Sequence, residues 1–296
     1  MMDEPIEQAV TENSEPRTDR SLERLVEDQS WVPVIVKRTD EAVRHPEDVL
    51  VAVIEEGLEQ LSRRTFSLGQ SAVAAGLMLG FTAMAVAVVN VAVQPFSEWP
   101  MLERLAVALV YPLGFVVCLS SGAELFTEHT ATAVYPVLDR KASVTRLLRL
   151  WSIVIGGNLI GAVLSASLLT LADPVIGARS GYIEIGRHLV GFSTLPLVVS
   201  AILAGWLMAL GAWLILATPP TVSQIVSIYI VTFLIGVGGL HHSIAGSVEM
   251  FIALLMSNEF TIAQSGRFIG LALFGNLIGG SLFVAVLNYA HIRETR

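Results

Sequence analysis

The chain has 296 residues, of which 53% are hydrophobic and only 15% are charged, and its mean hydropathy is +0.66. Soluble domains carry about 25% charged residues, so this composition excludes an ordinary soluble protein and indicates a chain that crosses a membrane several times. The first 66 residues hold 16 of the 26 acidic and 8 of the 18 basic side chains, so the net charge of −8 lies there. Such an acidic segment does not suit nucleic acid or anionic lipid.

The amino-terminal part divides into two segments before the apolar region begins. Residues 1–45 are polar and acidic, which predicts a largely disordered cytoplasmic tail. In residues 46–66, Leu50, Ile54, Leu58 and Leu61 recur at helical spacing with acidic residues between them. This pattern predicts an amphipathic cytoplasmic helix, followed by a six-span membrane domain over residues 67–292.

Six apolar stretches are each long enough to cross a bilayer, for which about 20 residues suffice. They cover residues 68–93, 102–138, 147–172, 193–217, 222–256 and 265–291. The second and the fifth are too long for one crossing, and each contains a polar, glycine-bearing interruption, at 120–130 and 236–247. We therefore predict an all-α polytopic membrane protein whose second and fifth helices are broken.

Arginine and lysine placement predicts the orientation. With the amino terminus inside, eight such residues flank the membrane on the inner side and four on the outer side. This imbalance favours a multi-pass protein of the inner (plasma) membrane with both termini in the cytoplasm.

A short sequence repeat links the two halves of the chain. "GNLIG" occurs at 157–161 and again 118 residues later, at 275–279. The same offset carries Leu125, in the first interruption, onto Ser243, in the second. Because each half contains three spans, we predict two inverted repeats in an aquaporin-like plan, with a solute path near the breaks.

Both interruptions resemble the signature sequences of one transporter family. "GAELFT" at 122–127 and "HSIA" at 242–245 are similar to the two loop motifs of the formate/nitrite transporter family. "LFTEHTATAVYPV", "GSVEM" and "AHIR" are similar to a divergent branch, the YfdC-like membrane proteins. The resemblance covers residues 45–292.

The resemblance implies a homopentamer in lipid, in which each protomer has a pore for a small monovalent anion or its conjugate acid. Formate and nitrite are the leading substrates, carried by a channel or by a proton-coupled secondary transporter. It implies that His242 is the central pore histidine with Ser243 beside it, and that a gating loop faces it. The loop would be formed by Leu125, Phe126 and Thr127, and the apolar constrictions by Phe115, Tyr111 and Ile235.

The chain departs from the family pattern at several pore positions. His241 stands where the family has glutamate, and Gly246 and Gly205 stand where it has asparagine. The family's vestibule lysine has no counterpart, although Arg187 and His188 lie nearby in sequence. These departures leave two alternatives open: a non-transporting structural or regulatory membrane protein, and a channel for a small neutral solute.

The chemistry of an anion in a membrane explains why a histidine is a suitable pore residue. A charge at the bilayer centre costs at least about 2.5–3.5 kcal/mol. A histidine lowers this cost either by carrying a positive charge or by sharing a proton, so that the neutral acid crosses. His242 is a candidate for this role or for a packed core histidine, and Thr127 is a candidate hydroxyl donor. His241 points about 100° away if the segment is helical, so it favours the core alternative.

Two carboxylates inside the apolar region are candidates for bracing or proton relay. Glu124 lies in the first loop motif and is suited to accepting backbone N–H groups. Glu249 lies two helical turns after His242, where it would face His242, His129 or a neighbouring protomer. No "HExxH" sequence occurs, and we predict no enzyme activity, metal site, cofactor or nucleic-acid partner.

Overall fold

The structure is a computed structural model that describes residues 44–96, 98–218 and 220–294. Within these ranges every regular element is helical. The predicted disordered tail lies outside the described residues, apart from its last two positions.

The helices follow one another with short connections. In chain order they are α1 (Pro46–Ser62), α2 (Thr65–Met78), α3 (Gly80–Val93), α4 (Pro100–Val110), α5 (Pro112–Ser120), α6 (Phe126–His129), α7 (Tyr135–Leu138), α8 (Val144–Ile176), α9 (Arg179–Val190), α10 (Thr194–Ala217), α11 (Thr221–Gly238), α12 (Ser243–Met256), α13 (Ile262–Gly280) and α14 (Leu287–Glu294). A 3₁₀ turn (Gln94–Phe96) follows α3, and a π-helical segment (Ser281–Val286) joins α13 to α14.

Six helical stretches of the described residues are long and apolar enough to cross a membrane. They are Thr65–Phe96, Pro100–Ser120, Val144–Ile176, Thr194–Ala217, Thr221–Gly238 and Ile262–Ile292. The prediction of an all-α chain with six spans is confirmed within the described ranges, and the chain is a multi-pass membrane protein.

The helices end where the sequence shows its two polar interruptions. α5 ends at Ser120 and α6 begins at Phe126, while α11 ends at Gly238 and α12 begins at Ser243. Gly122 and Gly239, one in each interruption, have φ values of +68° and +58°. Side chains rarely adopt this left-handed conformation, so glycine lets the backbone turn out of the helix at both places.

Asn158, the second residue of the first "GNLIG", holds the first interruption in place. It is fully buried in α8. Its Oδ1 atom accepts a hydrogen bond from the backbone N–H of Phe126 (2.9 Å), and its Nδ2 atom donates to the carbonyls of Ala72 (2.8 Å) and Glu124 (2.9 Å). The bonds to Phe126 and Glu124 satisfy backbone groups that the interruption leaves without helical partners, and the bond to Ala72 ties α8 to α2.

Asn276, the second residue of the second "GNLIG", makes the same set of bonds in the other half. Its Oδ1 atom accepts from the N–H of Ser243 (2.7 Å), and its Nδ2 atom donates to the carbonyls of Ala201 (2.7 Å) and His241 (3.1 Å). The paired bonds match Phe126 with Ser243, and therefore Leu125 with His242. The sequence repeat predicts that Leu125 corresponds to Ser243, whereas the hydrogen bonds pair Phe126 with Ser243. The second half therefore has one residue more than the first between its interruption and its asparagine.

Two glycines let the paired helices approach closely. A Cβ atom on Gly76 of α2 would lie 2.1 Å from the carbonyl oxygen of Asn158, and one on Gly205 of α10 would lie 2.3 Å from that of Asn276. Both distances are far shorter than a van der Waals contact. Helix α2 therefore packs on α8, and α10 packs on α13, only because the residues at positions 76 and 205 have no side chain.

Helix α1 docks against the chain that follows the first interruption. Its buried face includes Val49, Val53 and Gly57, and a Cβ atom on Gly57 would lie 2.3 Å from the carbonyl oxygen of Thr132. The Oε1 atom of Gln60 accepts a hydrogen bond from the hydroxyl of Thr132 (3.1 Å). The amphipathic helix is therefore joined to the membrane domain at the first broken helix.

Candidate functional site

A cavity of about 480 Å³ runs from the exposed surface into the interior of the chain. Helices α3, α4, α9, α11 and α12 contribute its walls. Its buried end is formed by Tyr111, Ile235, His242 and Glu249. We call this space the vestibule.

His242 sits at the buried end of the vestibule as the N-cap residue of α12. Its Nδ1 atom accepts a hydrogen bond from the backbone N–H of Ala245 (3.1 Å), and its Nε2 atom lies 2.9 Å from the hydroxyl oxygen of Thr127. The two polar interruptions therefore meet through this pair, because Thr127 belongs to the first and His242 to the second.

These two bonds define the protonation state of the imidazole. A nitrogen that accepts an N–H bond carries no proton, so Nδ1 is unprotonated and His242 is neutral with its hydrogen on Nε2. Nε2 then donates to Thr127, whose own hydroxyl hydrogen has no acceptor within the described part of the chain. The positive end of the α12 dipole also disfavours an imidazolium at this position.

Aromatic rings surround the imidazole on one side. Phe115 packs edge-on against His242 with 5.0 Å between ring centroids, and Tyr111 is tilted against Phe115 at 5.3 Å. Phe115, Leu125 and Phe126 are almost completely buried and contribute nothing to the vestibule wall. On this side, His242 therefore lies against closely packed apolar rings.

The remaining candidate residues lie at different distances from the vestibule. Ile235 lines it, whereas Ser243 is buried next to His242 and has a hydroxyl with no hydrogen-bond partner among the described residues. A Cβ atom on Gly246 would lie 2.5 Å from the ring of Phe268. Neither Gly246 nor Gly205 lies on the vestibule wall, and an asparagine side chain at either position would require the neighbouring atoms to move.

His241 lies outside the vestibule wall, in a cage of rings. It stacks on His188 with 5.5 Å between ring centroids and meets Phe192 and Phe268 edge to face. Its Nδ1 atom lies 2.8 Å from the hydroxyl of Ser200, to which its backbone N–H also donates. This environment is that of a packed histidine.

Glu124 forms an ionic network between α1 and the first interruption. Its carboxylate contacts the guanidinium of Arg63 and Nε2 of His129. The other ring nitrogen of His129 lies 2.8 Å from Oε1 of Gln60. Because both ring nitrogens face oxygen acceptors, His129 carries two hydrogens and is cationic, so Glu124 bridges two positive charges. The sequence offered no signal for this network, since Arg63 lies 61 residues before Glu124 and Gln60 lies 69 residues before His129.

The exposed rim of the vestibule carries charged and titratable side chains that no motif in the sequence marks. Arg104 and Glu103 come from α4, and Glu184 and His188 come from α9. Nε2 of His188 lies 3.3 Å from the carbonyl oxygen of Gly239. The rim is therefore mixed in sign, in place of the single lysine of the family pattern.

Arg187 does not face the vestibule, because its guanidinium is held by two carboxylates. Its Nε and Nη2 atoms donate to Glu259 and its Nη1 atom donates to Glu184, each at 2.9 Å. Hydrogen bonds from Arg187, with its positive charge as a further cause, hold the pKa of the Glu259 carboxyl below its usual range. Of the two neighbours in sequence, His188 and not Arg187 reaches the rim.

The described residues thus form a multi-pass helical protein in which a vestibule ends at two hydrogen-bonded polar interruptions, which is the construction of a membrane channel or transporter. The family described as "Formate/nitrite transporter" matches residues 47–290. The chain belongs to this family.

Three known proteins to which the chain is similar show how far its sequence and fold resemble other members. The chain is 30% identical to the inner membrane protein YfdC of Escherichia coli (strain K12), covering 81% of this chain and 76% of that protein. Its fold is similar to a solved "FNT family ion channel", with a TM-score of 0.75 and 18% identity over 83% of this chain and 99% of the other. A solved "Pentameric formate channel with formate bound" has a TM-score of 0.65 and 18% identity, over 77% and 97%.

Proposed function

We propose that this protein is a channel or secondary transporter for small monovalent anions, with formate and nitrite as the leading substrates. The family match supports this class, and a formate-bound channel with the same fold supports the substrate. The chain conducts its solute, which gains or loses at most a proton on the way.

The observation that carries the proposal is the contact between Thr127 and His242 at the buried end of the vestibule. The donation from Nε2 of His242 polarises the Thr127 hydroxyl and leaves its hydrogen free for a carboxylate or nitrite oxygen. Because Phe115 and its neighbours form an apolar wall beyond this point, the solute crosses as the neutral acid.

The proton of that acid does not come from His242 in the arrangement described. Loss of the Nε2 hydrogen would leave an imidazolate, and protonation at Nδ1 would break the cap of α12. His242 therefore orients the donor that recognises the solute, while the proton enters from the aqueous phase or from another group.

The family match, the similar pentameric channel and the location of the vestibule support a homopentamer. One chain supplies the whole vestibule wall, so each protomer of a homopentamer has its own path. The two halves are inverted repeats, a relation supported by the equivalent bonds of Asn158 and Asn276. The protein lies in the inner membrane in contact with lipid, with both termini in the cytoplasm.

An uptake panel in proteoliposomes tests this function. Purified protein is expected to carry labelled formate and nitrite in a saturable way, and to exclude sulfate, because a dianion meets the larger cost of charge burial. The oligomer is checked beforehand by light scattering against the 31.8 kDa chain. Uptake of glycerol or urea without formate would favour the neutral-solute alternative, and no uptake by intact oligomers would favour a non-transporting protein.

A further inference from the structure

Glu249 is a buried carboxyl group that the proposed path does not yet use. It lies in α12, two turns after His242, and only 5% of its surface is exposed. It lines the vestibule together with His242 and Tyr111. Within the described part of the chain its carboxyl makes no hydrogen bond and no ion pair.

The groups around Glu249 supply no compensating charge at the buried end. His242 is neutral because Nδ1 caps α12, and Tyr111 is a neutral phenol. The charged and titratable groups that share the vestibule are Glu103, Arg104, Glu184 and His188, all at the exposed rim. Helices α2, α6, α8 and α13 also pack on α12 but place no side chain on the vestibule wall. The titratable groups of α6, Glu128 and His129, therefore do not line the vestibule with Glu249.

Ionisation of Glu249 would carry the cost of a buried charge, and the carboxylate would repel an entering anion. A buried carboxylate without a partner is strongly disfavoured, and such a group takes up a proton instead. A carboxylic acid, in contrast, presents an O–H donor to whatever enters the vestibule. The buried position of Glu249 on the vestibule wall therefore favours a carboxyl group that keeps its proton until an anionic solute arrives.

We propose that Glu249 is the proton donor of the transport path, and that it converts a weak-acid anion into the neutral acid before it reaches Thr127 and His242. This inference rests on the proposed function and deepens it. The O–H bond of the Glu249 carboxyl breaks, and its proton forms a new O–H bond on the anion. The neutral acid then passes Thr127, and the Glu249 carboxylate takes a proton from hydronium of the aqueous phase, which leaves water and restores the protonated carboxyl.

Proton donation by Glu249 changes how formate flux depends on pH. If only acid formed in bulk water crossed, formate flux at constant total formate would fall about tenfold for each pH unit. With Glu249 as donor, the abundant formate anion becomes the entering species. The flux then stays high until Glu249 itself loses its proton.

The test is formate uptake by proteoliposomes that contain wild type, Glu249→Gln or Glu98→Gln, at about pH 5 and about pH 7.5. Glutamine keeps the size and polarity of the side chain but carries no transferable proton. We expect Glu249→Gln to lower flux about tenfold or more at the higher pH and less than about threefold at the lower pH. Glu98, which is exposed in the turn before α4, provides the same chemical change outside the vestibule and is expected to behave as wild type.

A second variant separates proton donation from packing. Glu249→Asp keeps a carboxyl group on a shorter side chain and is expected to restore the shape of the wild-type pH profile. Equal loss at both pH values for Glu249→Gln, or no loss at either, would overturn this inference while leaving formate transport in place. Absence of formate uptake by wild type would instead contradict the proposed function, and this inference with it.

Discussion

Replacing His242 with asparagine is expected to lower formate flux about 10- to 100-fold while the protein stays folded, because a hydrogen bond that recognises a charged or acidic solute contributes about 1.5–3 kcal/mol. The amide oxygen of asparagine is able to cap α12 as Nδ1 of His242 does. With that oxygen occupied by the cap, the shorter side chain no longer reaches Thr127. The hydroxyl then loses the contact that orients it.

Two further variants separate the cap from the solute site. His242→Ala removes both contacts and is expected to destabilise the protein by a further amount of about 0.5–2 kcal/mol, measured as a lower melting temperature. His45 caps α1 through its own ring nitrogen, so His45→Asn makes the same change far from the vestibule. It is expected to leave flux unchanged. Wild-type flux in a folded His242→Asn protein would show that the imidazole has no part in the path.

Replacing Asn276 with alanine is expected to destabilise the protein by about 2–6 kcal/mol, because the change leaves two buried backbone groups without partners at about 1–3 kcal/mol each. The groups are the N–H of Ser243 and the carbonyl of His241. The carbonyl of Ala201 also loses a bond but lies inside α10, where it keeps its helical partner. Asn276 is fully buried, so bulk water is not in contact with these groups to replace the lost bonds. The broken end of α12, and with it His242, loses its support.

Asn158 provides an internal replicate of this experiment, because it makes the equivalent bonds in the other half of the chain. Asn158→Ala is expected to cost a similar amount. Asn90, in α3, makes no hydrogen bond through its side chain in the described structure, so Asn90→Ala is the matched control and should change stability by less than about 1 kcal/mol. Melting curves from tryptophan fluorescence in detergent compare the variants. Small and equal shifts of the melting temperature in the Asn276, Asn158 and Asn90 variants would show that Asn276 and Asn158 do not hold the interruptions.

The sequence predicts the architecture well because the bilayer imposes simple rules on it. Spans of sufficient length, polar interruptions and the glycines within them are all visible in the order of residues. The "GNLIG" repeat also marks Asn158 and Asn276, although its spacing alone does not show that they bind the loops. The one-residue difference between the loops became visible only through these hydrogen bonds, since a local insertion does not change the distance between the repeats.

The sequence predicts the site less completely because its members come from distant helices. Arg104 and His188 belong to different segments, and neither lies in a motif, so their meeting at the vestibule rim requires the fold. The ionic contacts of Glu124 depend on where α1 docks, which amphipathic spacing does not specify. Gly205 resembles a pore position by alignment with the family pattern, yet the close approach of α10 and α13 leaves no room for a side chain there.

The most direct test of the central claim is to follow formate and protons together in one experiment. Wild-type protein is reconstituted into vesicles that contain a pH-sensitive dye, and an inward formate gradient is applied at about pH 6.5, near the reference value for histidine. If the solute crosses past His242 as the neutral acid, formate uptake is accompanied by matching acidification of the interior, and an imposed membrane potential has no effect on the rate. Formate uptake that follows the membrane potential without acidification, or no uptake by intact oligomers, would contradict the account.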